Sequence, residues 1–123
     1  MTGKRRAGTC GREFLTRLEE LYLLAILQLN EPACLVNMRR FLLQHAGRDW
    51  AFGSLFVSLA KLERRGFVRT RYGAPRGVRG GKAIKYYDVT SDGLAALAAA
   101  KKVDDEMWRG FPALARKEVS HEQ

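Results

Sequence analysis

Residues 50–72, WAFGSLFVSLAKLERRGFVRTRY, contain a helical pattern that leads directly into a strand pattern. Four apolar side chains recur at the three- and four-residue spacings of one buried helix face; they are Phe52, Leu55, Leu59 and Leu62. Gly66 then provides a residue that readily adopts the left-handed conformation at a helix end. Apolar and charged side chains alternate over residues 67–72, as in a strand with one buried face. This stretch therefore predicts a helix over residues 50–65, a tight turn and a strand.

Downstream of this strand, the sequence predicts a hairpin and a further helix. Residues 84–89 alternate as a second strand, and the glycine-rich residues 73–82 would form an extended hairpin tip. Thr90 is placed to cap a helix whose first turn carries Asp92, where a carboxylate suits the helix dipole. We expect this helix to run to about Trp108, and the residues after Phe111-Pro112 to be frayed and polar.

Upstream, residues 12–29 have the apolar spacing of an amphipathic helix. Its main stripe consists of Leu15, Leu18, Leu21, Tyr22, Ala25, Ile26 and Leu29. Three further leucines, Leu23, Leu24 and Leu27, lie off that stripe and form a second apolar face. Such a face must be covered by the same domain or by a partner subunit. Pro32 stops this helix, and a second helix is predicted over about residues 35–45.

The predicted order is three helices, a two-stranded hairpin and a final helix, which is a winged helix-turn-helix of mainly α, α+β class. The helix over residues 50–65 stands in the recognition position. We divide the chain into a flexible basic arm (1–11), a winged-helix DNA-binding domain (12–90), a C-terminal dimerisation helix (91–111) and a polar tail (112–123).

Composition favours a polyanionic partner. The 123 residues include 22 Lys and Arg against 13 Asp and Glu, a formal net charge of +9, and the isoelectric point is near 10.1. Cys10 and Cys34 form no metal-binding or disulfide pattern, which suits reduced thiols in the cytoplasm. The longest apolar run, residues 21–27, is far shorter than the ~20 residues that span a bilayer, and no leader pattern precedes it.

Eight basic residues and no acidic residue lie between residues 64 and 85. They are Arg64, Arg65, Arg69, Arg71, Arg76, Arg79, Lys82 and Lys85. Cationic side chains on a glycine-rich tip can approach phosphates or enter a minor groove. The alternative is a solvated, mobile loop.

The outer face of the predicted recognition helix carries small or polar side chains, namely Ser54, Val57, Ser58 and Lys61. Such a face allows insertion into a major groove, where hydroxyl groups and an ammonium group reach base edges or phosphates. It is also compatible with an ordinary exposed helix face. The neighbouring basic hairpin favours the DNA interpretation.

We find no pattern of catalytic residues in this sequence. Arg79-Gly80-Gly81-Lys82 lacks the upstream glycine of a phosphate-binding loop, and Ala83 stands where that loop needs a hydroxyl. His45 and His121 are far from catalytic or metal-ligating partners in the sequence. We therefore expect no enzyme activity, no cofactor and no metal site.

Several blocks in this order resemble the PadR family of bacterial winged-helix transcriptional regulators, over roughly residues 13–97. They are the apolar residues 21–29 with Glu31-Pro32, Phe52-Gly53-Ser54-Leu55-Phe56 with Leu59, Leu62-Glu63 and Gly66-Phe67-Val68, Arg79-Gly80-Gly81-Lys82 with Lys85-Tyr86-Tyr87, and Val89-Thr90 with Gly93, Ala96 and Leu97. Two departures are Phe56, where the family commonly has tyrosine, and Cys34-Leu35-Val36, which replaces a usual tyrosine-glycine.

The resemblance implies a homodimer in which the C-terminal helix packs on the first helix of the partner. It places Leu23, Leu24, Leu27, Leu94, Leu97 and Trp108 at the dimer interface. It also implies a repressor that presents two recognition helices to a palindromic operator in double-stranded DNA, and a small aromatic effector bound at the dimer interface. Phe56 would then contact DNA without a hydroxyl.

The sequence thus predicts a cytoplasmic, nucleoid-associated transcriptional regulator that does not enter a membrane. Its DNA-contacting residues are Ser54, Phe56, Val57, Ser58, Lys61, Arg76, Arg79, Lys82 and Lys85. The alternative is a winged-helix module that docks an acidic protein or binds DNA without sequence preference.

Overall fold

The computed structural model describes residues 14–73 and 83–121, with side chains described as far as residue 116. Its elements are α1 (Arg17–Gln28), α2 (Leu35–Ala46), α3 (Phe52–Arg64), β1 (Val68–Gly73), β2 (Ile84–Val89), α4 (Ser91–Trp108) and α5 (Phe111–His121). β1 and β2 form a two-stranded antiparallel sheet. The structure confirms the predicted mainly helical winged-helix class. The basic arm and residues 74–82 of the predicted hairpin tip lie outside the described residues.

Local hydrogen bonds explain where α1 and α2 begin. The Thr16 hydroxyl accepts from the Glu19 amide, and the Glu19 carboxylate accepts in return from the Thr16 amide, so α1 starts at Arg17 rather than at the predicted residue 12. At α2, the Asn37 side chain accepts from the Cys34 amide at 2.8 Å and donates to the Pro32 carbonyl at 2.8 Å. Both helix starts are therefore encoded within a few residues of sequence.

The hydrophobic core is built around α3. Leu55, Leu59 and Leu62 are fully buried, as their spacing predicts. Phe52 was predicted on the same stripe, but it is 41% exposed because it is the first residue of α3, where the Arg39 guanidinium lies 4.4 Å from its ring centroid. Trp50, predicted within the helix, precedes it and is buried with its ring 6.0 Å from that of Tyr22.

The second apolar face of α1 is divided between core and surface. Leu23 is 0% exposed and belongs to the core of its own chain, so its predicted place in a dimer interface is wrong. α1 packs against α2, α3, α4 and β2, and this surrounding packing covers more than one helix face. Leu24 and Leu27 are exposed.

The hairpin is joined to the helices through its inner face. The register pairs Thr70 with Tyr87, and Tyr87 is buried whereas Tyr86 is half-buried. Of the two adjacent tyrosines, Tyr87 therefore packs inward, as the alternation of side chains along a strand requires. The Tyr87 amide also donates to the Ala33 carbonyl at 2.9 Å, which ties β2 to the residues before α2.

A compact junction connects the end of α3, the sheet and the start of α4. The Thr90 hydroxyl donates to the Gly66 carbonyl at 2.6 Å and accepts from the Gly93 amide at 3.0 Å, and the Thr90 amide donates to the Phe67 carbonyl at 3.1 Å. Gly66 has the predicted positive φ, 85°. Thr90 is thus the predicted N-cap of α4 and also joins it to the end of α3.

The C-terminal region differs from the prediction. α4 ends at Trp108, and a further helix, α5, begins at Phe111 after Gly110, whose φ is +72°. The prediction of a frayed tail from residue 112 is therefore wrong for residues 112–121. Pro112 is the second residue of α5, and proline is well tolerated in the first turn of a helix.

No helix in the described ranges is long and apolar enough to cross a membrane.

We predict that Gly93→Ala destabilises the protein whereas Gly53→Ala does not. A Cβ atom at residue 93 would approach Val89 Cγ1 to 2.7 Å and would also collide with the Phe67 backbone, whereas one at residue 53 meets nothing within 4 Å. Overpacking costs about 1–3 kcal/mol, and an open helical glycine replaced by alanine gains up to about 1 kcal/mol. Denaturant unfolding of both variants measures these changes, and equal stabilities would contradict the close packing at Thr90.

Candidate nucleic-acid interface

The outer face of α3 is open to solvent. Burial of the leucine stripe turns Ser54, Val57 and Lys61 outward, and all three are exposed, while Ser58 is half-buried. The structure thus brings the four predicted side chains of this face onto one surface. A helix with small side chains on its outer face can approach a large partner closely.

Phe56 and Lys85 connect this helix to the hairpin. The Lys85 ammonium lies 5.1 Å from the ring centroid of Phe56 and 5.7 Å from that of Tyr87. The Phe56 ring remains 45% exposed. These two predicted site residues therefore meet at the base of the wing. The other predicted wing residues, Arg76, Arg79 and Lys82, lie outside the described residues.

The basic block between residues 64 and 85 is less uniform than its sequence suggests. Arg65 pairs with Glu19 at 2.9 Å, and Arg71 pairs with Asp88 at 2.9 Å. Both acidic partners come from outside the block, so two of its arginines have structural roles. Arg64 and Arg69 are exposed.

Ion pairs hold both ends of α3 against the rest of the domain. At its C-terminal end, the Arg65 guanidinium donates hydrogen bonds to the Glu19 carboxylate at 2.9 Å and to the Phe14 carbonyl at 3.1 Å. Before its N-terminal end, Asp49 accepts from Arg39 at 2.8 and 3.1 Å. The hydrogen bonds from Arg39 lower the pKa of the Asp49 carboxyl group, and the same bonds raise the pKa of Arg39. These two ion pairs link the residues that flank α3 to α1 and α2.

A groove of about 410 Å³ lies between the start of α2, α3 and β2. Its apolar wall is formed by Leu35, Val36, Phe56, Ile84 and the ring of Tyr87. Arg40, Lys85 and Glu31 supply its charged groups. The groove could not be predicted from the sequence, because its residues come from three separate segments of the chain.

Two buried polar atoms have no hydrogen-bond partner in the described part of the chain: Trp50 Nε1 and the Tyr87 hydroxyl. Burial is the largest influence on Tyr87 and raises its pKa above the usual value, with smaller contributions from Glu63, Tyr72 and Cys34.

The described residues contain no cluster of His, Cys, Asp and Glu that could hold a metal ion. His45 stacks on Phe41 with ring centroids 4.2 Å apart, and Cys34 is a free, half-buried thiol.

A second surface, the C-terminal apolar surface, is formed by the exposed large side chains of α4 and α5. They are Leu94, Val103, Met107, Trp108, Phe111 and Leu114. Met107 is 75% exposed, Trp108 is 62% exposed, and the Trp108 ring packs edge-on against Phe111 at 5.0 Å. Leu97, also predicted at the dimer interface, is half-buried against the core. All residues of α4 are described, and only Gly93 among them is buried.

Solved structures of similar fold were found. The chain aligns with a PadR family transcriptional regulator from Eggerthella lenta at 25% identity and a TM-score of 0.63, over 80% of this chain and 84% of the other. A PadR-like transcriptional regulator from Bacillus cereus aligns at 22% identity and a TM-score of 0.60, over 83% and 90%. A PadR-like transcription factor from Bacteroides fragilis aligns at 20% identity and a TM-score of 0.58, over 84% and 88%. These alignments confirm the PadR-like fold.

No protein-family model and no curated protein matches the chain.

We predict that Glu19→Gln lowers the free energy of unfolding by about 1 kcal/mol more than Glu20→Gln, the value expected for a partly buried ion pair. Glu19 reaches across to Arg65 of the α3 end, whereas Glu20 pairs with the highly exposed Arg17 on its own helix. Chemical denaturation of both variants provides the comparison. Equal losses would show that the Glu19 pair does not anchor α3.

Proposed function

We propose that this PadR-like winged-helix chain is a DNA-binding transcriptional regulator that acts as a homodimeric repressor at the nucleoid. The observation that carries the proposal is the meeting of the open α3 face with the base of a basic hairpin, through Phe56 and Lys85. The solved structures of similar fold are transcriptional regulators by their descriptions, which supports the same role here.

In this proposal α3 enters the major groove of duplex DNA. Ser54 and Ser58 donate and accept hydrogen bonds at base edges or phosphates, and Lys61 reaches an acceptor. Val57 is 51% exposed at the centre of this face, where it can pack on a thymine methyl group. Phe56 contributes apolar contact without the hydroxyl that a tyrosine would bring.

The hairpin supplies the sequence-independent part of the affinity. We assign phosphate or minor-groove contacts to Arg76, Arg79 and Lys82 from their place in the sequence, and to Lys85 from its place beside α3. Cationic side chains that neutralise phosphates release counterions, so binding by this surface weakens as salt rises.

The C-terminal apolar surface supports a homodimer. α4 has eighteen residues, and burying only Gly93 leaves most of its surface for a second subunit. We propose that α4 and α5 of one subunit pack on α1 of the other, where Leu24 and Leu27 are exposed. The division into a DNA-binding domain over residues 12–90 and a dimerisation segment thereafter is part of this proposal, with α5 added to that segment.

A two-fold dimer presents two α3 helices related by symmetry, which suits a pseudo-palindromic operator. Repression would follow where that operator overlaps a promoter.

A small aromatic effector at the dimer interface is proposed on the family resemblance alone.

We predict that the double variant Arg79→Ala, Lys82→Ala weakens binding to every duplex and flattens the dependence of log affinity on log salt. Each phosphate that the variant no longer neutralises should reduce the slope by about 0.9. Fluorescence anisotropy with a duplex from the upstream region of the gene and with a scrambled duplex, across a salt series, measures both quantities. Lys102→Ala, on the exposed side of α4, serves as the control for removal of a cation outside the hairpin and should leave the slope unchanged.

In the same assay, Ser54→Ala and Ser58→Ala should reduce the preference for the native duplex over the scrambled duplex. Weakening of both duplexes by the same factor would argue against base readout by α3. Absence of duplex binding at physiological salt would instead favour a module that docks an acidic protein.

We predict that Met107→Glu converts the dimer to a folded monomer, because a charge at this exposed apolar position would have to be buried in the interface. Val57→Glu is the matched control: it places the same charge on α3, and should leave the dimer intact while abolishing DNA binding. Sedimentation equilibrium gives the mass, and circular dichroism checks the fold. A wild-type mass equal to one chain, or a dimeric Met107→Glu protein, would contradict this interface.

A further inference from the structure

The groove between α2, α3 and β2 has the dimensions and lining of a small-molecule site. Its volume of about 410 Å³ falls within the ~300–1,000 Å³ typical of ligand pockets. Leu35, Val36, Phe56 and Ile84 provide an apolar wall, and few charged groups interrupt it. This combination suits an occupant with an apolar body and one polar end.

The charge of the lining favours a negative polar end. Arg40 and Lys85 contribute two cations against the single carboxylate of Glu31. The amide of Asn37 is already committed to the Cys34 amide and the Pro32 carbonyl, so it does not compete for an occupant. A ligand with one anionic group would therefore find complementary charge at the groove.

Tyr87 provides an independent observation in favour of a ligand at the groove. Its side chain lines the groove and is 1% exposed, yet its hydroxyl has no partner in the described part of the chain. A buried hydroxyl without a hydrogen bond costs about 1–3 kcal/mol. The Lys85 ammonium lies over the Tyr87 and Phe56 rings, so an anion that pairs with Lys85 would lie beside both rings.

We infer that this groove binds a small amphipathic organic anion, with its apolar body against Val36, Phe56 and Ile84 and its anionic group held by Arg40 and Lys85. The DNA backbone fits the groove less well, because phosphates and sugars offer nothing large and apolar to fill the wall. The site lies within the winged-helix domain and is separate from the C-terminal apolar surface.

An occupied groove would also oppose DNA binding, and this part of the inference rests on the proposed function. The anion would cover Phe56 and neutralise Lys85, which are two of the proposed DNA contacts. Because the same two side chains cannot serve both partners, ligand and duplex would compete.

The test uses 2-naphthoate as the anionic probe and 2-naphthylmethanol as its neutral analogue. Titrations followed by amide chemical shifts of the full chain should show saturable changes at Val36, Phe56 and Ile84. Arg40→Gln should weaken naphthoate binding about five- to tenfold, as expected for loss of a charge-assisted contact, and leave the alcohol unchanged. Lys102→Gln, the control variant on α4, should change neither.

Several results would overturn the site: no saturable shift at millimolar naphthoate, shifts centred on Met107 and Leu114, or equal effects of Arg40→Gln and Lys102→Gln. Duplex anisotropy without probe is measured first, so that failure of DNA binding is separated from failure of the site. If DNA binds, naphthoate should lower duplex affinity for the wild type at concentrations that leave Arg40→Gln unaffected. Weaker duplex binding by Arg40→Gln without naphthoate binding to the wild type would instead assign the groove to DNA.

Discussion

Complete burial of one face of α3 is the constraint on which the rest of the structure depends. Leu55, Leu59 and Leu62 are fully buried, and each contributes about 1.5–3 kcal/mol relative to exposure. Rotation of α3 about its axis would expose these leucines, so the opposite face is fixed toward solvent. Ion pairs next to the two ends of α3 link it to α1 and α2 in addition to this packing. The outer face of α3 is therefore rigid, as a surface that recognises a partner needs to be.

The junction at Thr90 explains why α4 begins where it does and yet leaves the core at once. Thr90 forms hydrogen bonds with backbone atoms of Gly66, Phe67 and Gly93. These bonds fix the first turn of α4 without burying a large side chain. Beyond this turn, most of α4 is exposed. The domain is thus held together by α3, while α4 is held at one end and presents apolar surface elsewhere. This arrangement accounts for a long helix that gains little from its own chain.

The sequence was a good guide to elements whose signals are local. The leucine period predicts α3, the alternation predicts β2, and the Thr90 cap predicts the start of α4. Apolar periodicity did not predict burial where the neighbouring elements decide it. Leu23 lies off the main stripe of α1 but is buried, because other elements of the domain pack against several sides of this helix. The meeting of Phe56 with Lys85 was also beyond sequence analysis, because it depends on how the hairpin folds over α3. α5 was missed because the polar residues after Pro112 were expected to be frayed, although a proline in the first turn is compatible with a helix.

Net charge proved a coarse guide to the interface, because a cation can serve the fold or a partner. Arg65 and Arg71 are committed to acidic side chains from distant segments, so these two charges mainly hold the domain together. Lys85 occupies an intermediate position: it rests on two aromatic rings and has no need of a carboxylate there, since ring faces attract cations by about 0.5–1 kcal/mol at exposed sites. That attraction is weak enough for a phosphate or a carboxylate to overcome. A cation held this weakly can change partners, as our proposals of DNA binding and of a competing anion at this surface require.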